Sequence, residues 1–291
     1  MIWSYVLVNL AVILLAARLR YAHRGLEYAS PVSLSPGAWW WAIAAVAVAA
    51  AAAAWLGRRR LRDKSARRAL AELAVLPAFF AYEWGRMPHF LSLCRWYDVA
   101  FVGGIIAVMV VLQMRDWKDR REWGLGRRNF VPAARVLAVP TALMIAAPVA
   151  AAFFVGTEFD PVRTVSSVLT YPLYSLLQLL VLQLFLVPRL RRVSDSAAAV
   201  VASAAIFALA HWPNAVVMGA CFVGAAVWTA VYLLRPNVYA SALSMGLAAT
   251  ALISALPRER ALQNLRIGPI YVQRLVEGKA VLWGPTPGRS R

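Results

Sequence analysis

Apolar residues along this chain come in long blocks, without the alternating or three-to-four spacing that marks a half-buried surface element. The blocks lie at 2–17, 38–56, 69–82, 98–114, 132–155, 164–187, 197–212, 214–234 and 237–256. A membrane helix needs about 20 apolar residues, and recurring blocks near that length predict an all-α, polytopic membrane helix bundle of about 8–9 transmembrane helices. The third block is short and carries Glu72, so a tilted or partly interfacial placement is expected for it.

The polar stretches between the blocks are basic in alternation. Arg58, Arg59, Arg60, Arg62, Lys64, Arg67 and Arg68 follow the second block, and Arg115, Lys118, Arg120, Arg121, Arg127 and Arg128 follow the fourth. Arg189, Arg191 and Arg192 follow the sixth, and Arg235 the eighth. Cationic loops face the cytoplasm, which sets the N-terminus inside and the C-terminus outside, and the arginines are read as topology determinants. Two clusters run the other way. One is Arg18, Arg20 and Arg24 in the first loop, and the other is Arg258, Arg260, Arg266, Arg274 and Lys279 in the tail. A span miscounted by one would reconcile them.

Composition sharpens this picture. The chain is 62% hydrophobic and carries a net charge of +18. Because the cations sit between apolar blocks, the expected partner is a phospholipid bilayer with anionic headgroups, and nucleic acid is excluded. Residues 44–54 are almost all Ala, a surface that lets helices approach closely in lipid. The first block has no basic region before it and reads as an uncleaved anchor. Cys94 and Cys221 are too few for a disulfide framework or a thiolate cluster and read as packing residues. The Ala- and Arg-rich composition fits an integral protein of a bacterial cytoplasmic membrane. The chain divides into N-terminal membrane helices at 1–114 (about four), a cytoplasmic interfacial linker at 115–131, a membrane core at 132–256 and a tail at 257–291. The linker's tryptophans suit the headgroup zone.

Intramembrane ionisable groups are costly and mark function by default. Here they are scarce. His211 is the only histidine of the core, and the acids Glu72, Glu83 and Asp98 sit at or just beyond block ends. A zinc site needs three or four His, Cys or carboxylate ligands, which the core cannot supply, so neither a metal nor another cofactor is expected.

Four short motifs carry a resemblance. They are Trp123-Gly-Leu-Gly126 before a membrane helix, Phe185-Leu-Val-Pro-Arg-Leu190 closing a second, Phe207-x-x-x-His211 followed by Trp-Pro-Asn214, and Pro236-Asn-Val opening the last. With them the region from Trp123 to about Leu256 is similar to the CAAX-protease and bacteriocin-processing family of intramembrane endopeptidases. That resemblance implies three motifs. The first, Glu-Glu-x-x-x-Arg, falls on Gln178, Leu179 and Gln183. The second, Phe-x-x-x-His, is intact at Phe207 and His211, and the third, His-x-x-x-Asn or Asp, falls on Met245 and Ala249. His211, Gln178 and Gln183 are therefore the catalytic positions. Phe207, Asn214 and Met245 line the place for substrate, and Glu83 is the one acid placed to stand in as base.

Helical rise puts Gln178 about 16 Å, His211 about 22 Å and Met245 about 12 Å from their helix ends, all at hydrocarbon depth. Gln keeps the shape and hydrogen-bonding capacity of Glu but cannot take a proton. Gln178 and Gln183 are either interhelical glue or the lining of a polar cavity. Five residues apart, they stand about 140° apart on an α-helix. Three functions follow: a CAAX-type endopeptidase weakened or lost in catalysis, a non-catalytic protein holding a lipidated or transmembrane peptide, or a small transporter component. Against the last, no inverted repeat is visible.

Overall fold

The computed structural model describes residues 2–21, 44–45, 63–85, 96–115, 123–155, 161–212 and 215–255. Most of the second apolar block, the tail 257–291 and Asn214 lie outside the described residues, as do the side chains of Glu83 and Asp98.

All regular structure among the described residues is helical. The order is α1 (Ile2–Tyr21), α2 (Lys64–Leu73), α3 (Val75–Gly85), α4 (Trp96–Arg115), α5 (Phe130–Val155) and α6 (Pro161–Leu179). A π-helical stretch (Leu180–Leu186) then leads into α7 (Val187–Val193), followed by α8 (Ser196–Leu209), α9 (Ala215–Leu234) and α10 (Val238–Ala255). Four helical runs, Phe130–Phe154, Thr164–Val193, Val217–Leu234 and Val238–Ala255, are long and apolar enough to cross a membrane.

The third apolar block is divided between two helices that meet at Ala74. Its start belongs to α2, which exposes Lys64, Arg67 and Arg68 and buries Ala66, Ala69, Glu72 and Leu73. Charges recurring at helical spacing make α2 amphipathic, with one face suited to water, and the apolar α3 follows it. Asp63 starts α2 by accepting the Ser65 amide at 2.8 Å.

In the core, α10 packs between α5 and α6, α8 pairs with α9, and α1 rests on α3 and α8. Close approach explains the first contact. A Cβ on Gly246 would stand 2.7 Å from the Pro172 backbone, so only glycine lets α6 and α10 come this near. The hydroxyls of Thr164 and Ser254 pair at 2.9 Å, which makes the two helices antiparallel and puts the start of α10 near the α7 end of the bundle.

At that end the Trp123–Gly126 turn docks on the α9–α10 turn. Gly124 has φ +69°, and a Cβ there would fall 2.5 Å from the Pro236 carbonyl carbon. Its carbonyl accepts from the Val238 amide at 3.1 Å. Asn237 caps α10 by accepting from the Ala240 amide at 2.8 Å and donates to the Gly126 carbonyl at 2.9 Å. Tyr232 adds a bond to the Trp123 carbonyl at 3.1 Å. Trp123, expected in the headgroup zone, is buried instead. Backbone groups at a membrane boundary need partners, and this turn finds them inside the protein.

Arg189 corrects a second expectation. It does not reach for headgroups as a topology charge; it is fully buried. Its Nε donates to Glu72 at 2.8 Å, and its Nη1 donates to Gln113 and to the Phe185 carbonyl, both at 2.9 Å. The guanidinium carbon lies 3.9 Å over the Phe185 ring. Glu72 also accepts from Arg68 at 2.7 Å. Burying a charge is tolerable only with such pairing.

Two outcomes are expected. Gly124→Ala lowers stability by about 1–3 kcal/mol, since a strained φ and a backbone clash coincide; thermal unfolding in detergent measures it. Glu72→Ala costs about 3–5 kcal/mol by stranding the buried Arg189, and adding Arg189→Met recovers most of the loss. A double variant no more stable than the single would show that the ion pair is not the cause.

Candidate functional site

The motif helix begins as α6 and widens where the resemblance places the first motif. The Val187 amide donates to the Leu182 carbonyl, an i→i+5 bond. Pro188 explains the widening. In a regular α-helix its ring would meet the Leu184 carbonyl and its missing N–H would leave a bond unmade. Stretching the preceding turn moves that carbonyl aside. Such π segments are short, rare and frequent at functional sites.

The wide turn changes the register. Gln183 sits within it and Gln178 just before it, so the angle between them is smaller than the 140° of a uniform α-helix. The π segment also turns Leu182, Gln183, Leu184, Phe185 and Leu186 all into the protein.

Gln183 is fully buried and donates through Nε2 to the Trp228 carbonyl on α9 at 3.1 Å. That carbonyl can only accept, which fixes the amide's orientation and turns Oε1 away. Gln183 thus serves as interhelical glue, one of the two roles its sequence left open. Its Oε1 and that of Gln178 are both buried without a hydrogen-bond partner among the described residues. Leu179, at the second acid position, is a fully buried core side chain.

On α10, Met245 is buried and Ala249 half-buried. The polar atom at this level belongs to the preceding residue. Ser244 Oγ accepts from Trp228 Nε1 at 3.0 Å and pairs with Thr141 Oγ1 on α5 at 2.6 Å. Through Trp228, four helical elements share one polar thread: the π segment by Gln183, α9 by Trp228, α10 by Ser244 and α5 by Thr141.

His211 lies in the turn after α8. Its Nδ1 is 2.8 Å from the Phe207 carbonyl, and the two rings are 5.1 Å apart at 51°. A carbonyl cannot donate, so Nδ1 carries the proton and Nε2 is the basic nitrogen. The Phe-x-x-x-His spacing is thereby accounted for within one helix end. Among the described residues no glutamine and no carboxylate is hydrogen-bonded to His211. Glu83 stands near the end of α3, but its side chain lies outside the described residues. Glu72 is committed to Arg189 and Arg68.

Residues 160–250 match a family model described as Type II CAAX prenyl endopeptidase Rce1-like. The likeness read from the motifs is the same one. The match runs from the start of α6 nearly to the end of α10 and takes in all three motif positions. Nothing among curated proteins or solved structures matches the chain. The Rce1-like match and the four spanning helices make this an integral membrane protein.

Sequence reasoning missed Ser244, Thr141, Trp228 and the Arg189–Glu72 pair. Isolated hydroxyls in apolar blocks were the available signal for the first two. Nothing local marks the ion pair, whose members are 117 positions apart.

Replacing Gln183 separates glue from chemistry. Gln183→Leu gives up one bond and removes one unpaired acceptor, so stability changes by less than about 1 kcal/mol. Gln183→Glu presents a carboxylate to a carbonyl inside the bundle and costs about 2.5–3.5 kcal/mol. Denaturation by sodium dodecyl sulfate in mixed micelles ranks the two; equal losses would refute the assigned contact.

Proposed function

We propose that this chain is a CAAX-protease-like membrane protein whose hydrolytic chemistry is lost or strongly weakened, and whose core holds a hydrophobic or lipidated partner without cutting it. One observation supports this reading above others. At the positions of the first motif stand an amide whose donor is spent on a helix carbonyl, a buried leucine, and a second amide. None can accept a proton from water. Losing a general base alone typically removes ~10²–10⁴ in rate. Losses from groups that act together are not additive, so the remaining His211 does not restore a fixed share. In the same reading the chain crosses a bacterial cytoplasmic membrane about eight or nine times, counting blocks outside the described residues.

An active enzyme that recruits Glu83 is the reading to exclude. The test is the full chain in phospholipid vesicles with a farnesylated CAAX peptide as substrate. We expect cleavage at the rate of empty vesicles, no change on His211→Ala, and recovery of the intact peptide by photocrosslinking. Proteolysis that falls at least tenfold on His211→Ala or Glu83→Gln would overturn the proposal.

A further inference from the structure

Trp228 stands between the helices that carry the first and third motif positions. Its backbone carbonyl accepts from Gln183, and its indole Nε1 donates to Ser244, the residue before Met245. The antiparallel register of α6 and α10 sets the level. Thr164 faces Ser254 and Pro172 faces Gly246, so the same register continued puts Ser175 opposite Leu243, next to Ser244. The buried indole therefore lies at the depth of Ser175.

Two contacts hold the ring there. Ser244 Oγ is itself paired with Thr141 on α5, which fixes the hydroxyl that receives Nε1. Gly224, one turn earlier on α9, leaves the ring its place, since a Cβ on it would fall 2.5 Å from Trp228 Cη2. With any other residue at 224 the ring has to move. Against these contacts stand three oxygens of the motif helix. Ser175 Oγ, Gln178 Oε1 and Gln183 Oε1 are buried without a hydrogen-bond partner among the described residues. Ser175 and Gln178, three apart, are neighbours on one side of α6. Buried oxygens without donors disfavour the state that holds them.

We propose that Trp228 is a latch on the core. Its indole closes the space between the motif helix and α10, and it swings aside to admit water and a hydrophobic partner to Ser175, Gln178 and Gln183. The opened form gives those oxygens donors, from water or from the main-chain amides of the partner. The closed form keeps the Trp228–Ser244 bond. The two forms are opposed by single hydrogen bonds, so one substitution is enough to shift the balance. Admission of a partner rests on the function proposed above; the swing itself does not.

The experiment reads water access without a partner. The full chain carries Cys94→Ala and Cys221→Ala, and Ser175→Cys is labelled in neutral detergent by a charged methanethiosulfonate, which reacts with a thiolate in contact with water. Ala133→Cys, equally buried at the start of α5, reports general loosening. Ser244→Ala removes the acceptor of the indole, and the net contribution of one hydrogen bond shifts an equilibrium about two- to tenfold. Labelling at 175 should rise by that factor in Ser244→Ala and at least as much in Gly224→Ala, with labelling at 133 unchanged. No rise at 175 in either variant, or an equal rise at 133, would overturn the latch. If Ser244→Ala is unfolded before labelling, Gly224→Ala decides in its place, because alanine favours the helix. Affinity for a farnesylated CAAX peptide is measured on the same proteins and should rise with the opened fraction. Faster labelling at 175 with no peptide bound by any variant would keep the latch and refute the proposed function. Peptide bound equally by all variants with unchanged labelling would do the reverse.

Discussion

A guanidinium buried at the end of a membrane helix constrains everything around it. Arg189 cannot shed its proton, so the surroundings must meet its charge and its directed donors. Glu72 meets the charge, while Gln113 and the Phe185 carbonyl take two of the donor bonds. These partners come from α2, α4 and the π segment, so one side chain fixes the meeting point of three elements. Lysine could not replace it here, because a point charge does not offer a fork to separate acceptors. The chain-level consequence is that the N-terminal helices and the Rce1-like segment are joined by a buried ion pair as well as by apolar packing.

The π segment is the second half of the same constraint. Pro188 forbids a regular α-helix one residue before Arg189, and the widened turn accommodates the ring. Phe185 lies in that turn and serves Arg189 twice, by its carbonyl and by its ring face. The Phe-Leu-Val-Pro-Arg-Leu sequence is thus a structural device. Its parts are a proline that widens the helix, an arginine that anchors it and a phenylalanine that receives the arginine.

Four of the apolar blocks became helical runs long and apolar enough to cross a membrane, because desolvation in lipid depends on composition over about 20 residues and little on detail. The boundary within 69–82 was not legible as a helix break. Leucine and alanine continue across Ala74, and only the spacing of Arg67, Arg68 and Glu72 distinguishes an interfacial turn from a buried one. The motif positions were legible by spacing, yet the angle between Gln178 and Gln183 was not, since a count of residues assumes an α-helix. Burial of Trp123 and Arg189 was hidden for a different reason. Both depend on partners far away in sequence, and membrane-boundary Trp and Arg read by default as headgroup residues.

The features that hold the core together are separable from those that would perform hydrolysis. The Gly124–Pro236 approach, the Asn237 cap, the Gly246–Pro172 contact and the Arg189 anchor involve none of the three motif positions of the peptidase family. Catalytic carboxylates in a bundle are a burden on stability, because each must be desolvated and kept ionisable. Gln178 and Leu179, at the two acid positions, carry no such burden, and Gln183, at the arginine position, makes a helix–helix bond through Trp228. The bundle is therefore held together without acids at those positions. Trp123, Pro188, Arg189 and Asn237 are accounted for by these structural contacts alone. They answer to backbone satisfaction and to the pairing of a buried charge, demands that do not depend on hydrolysis.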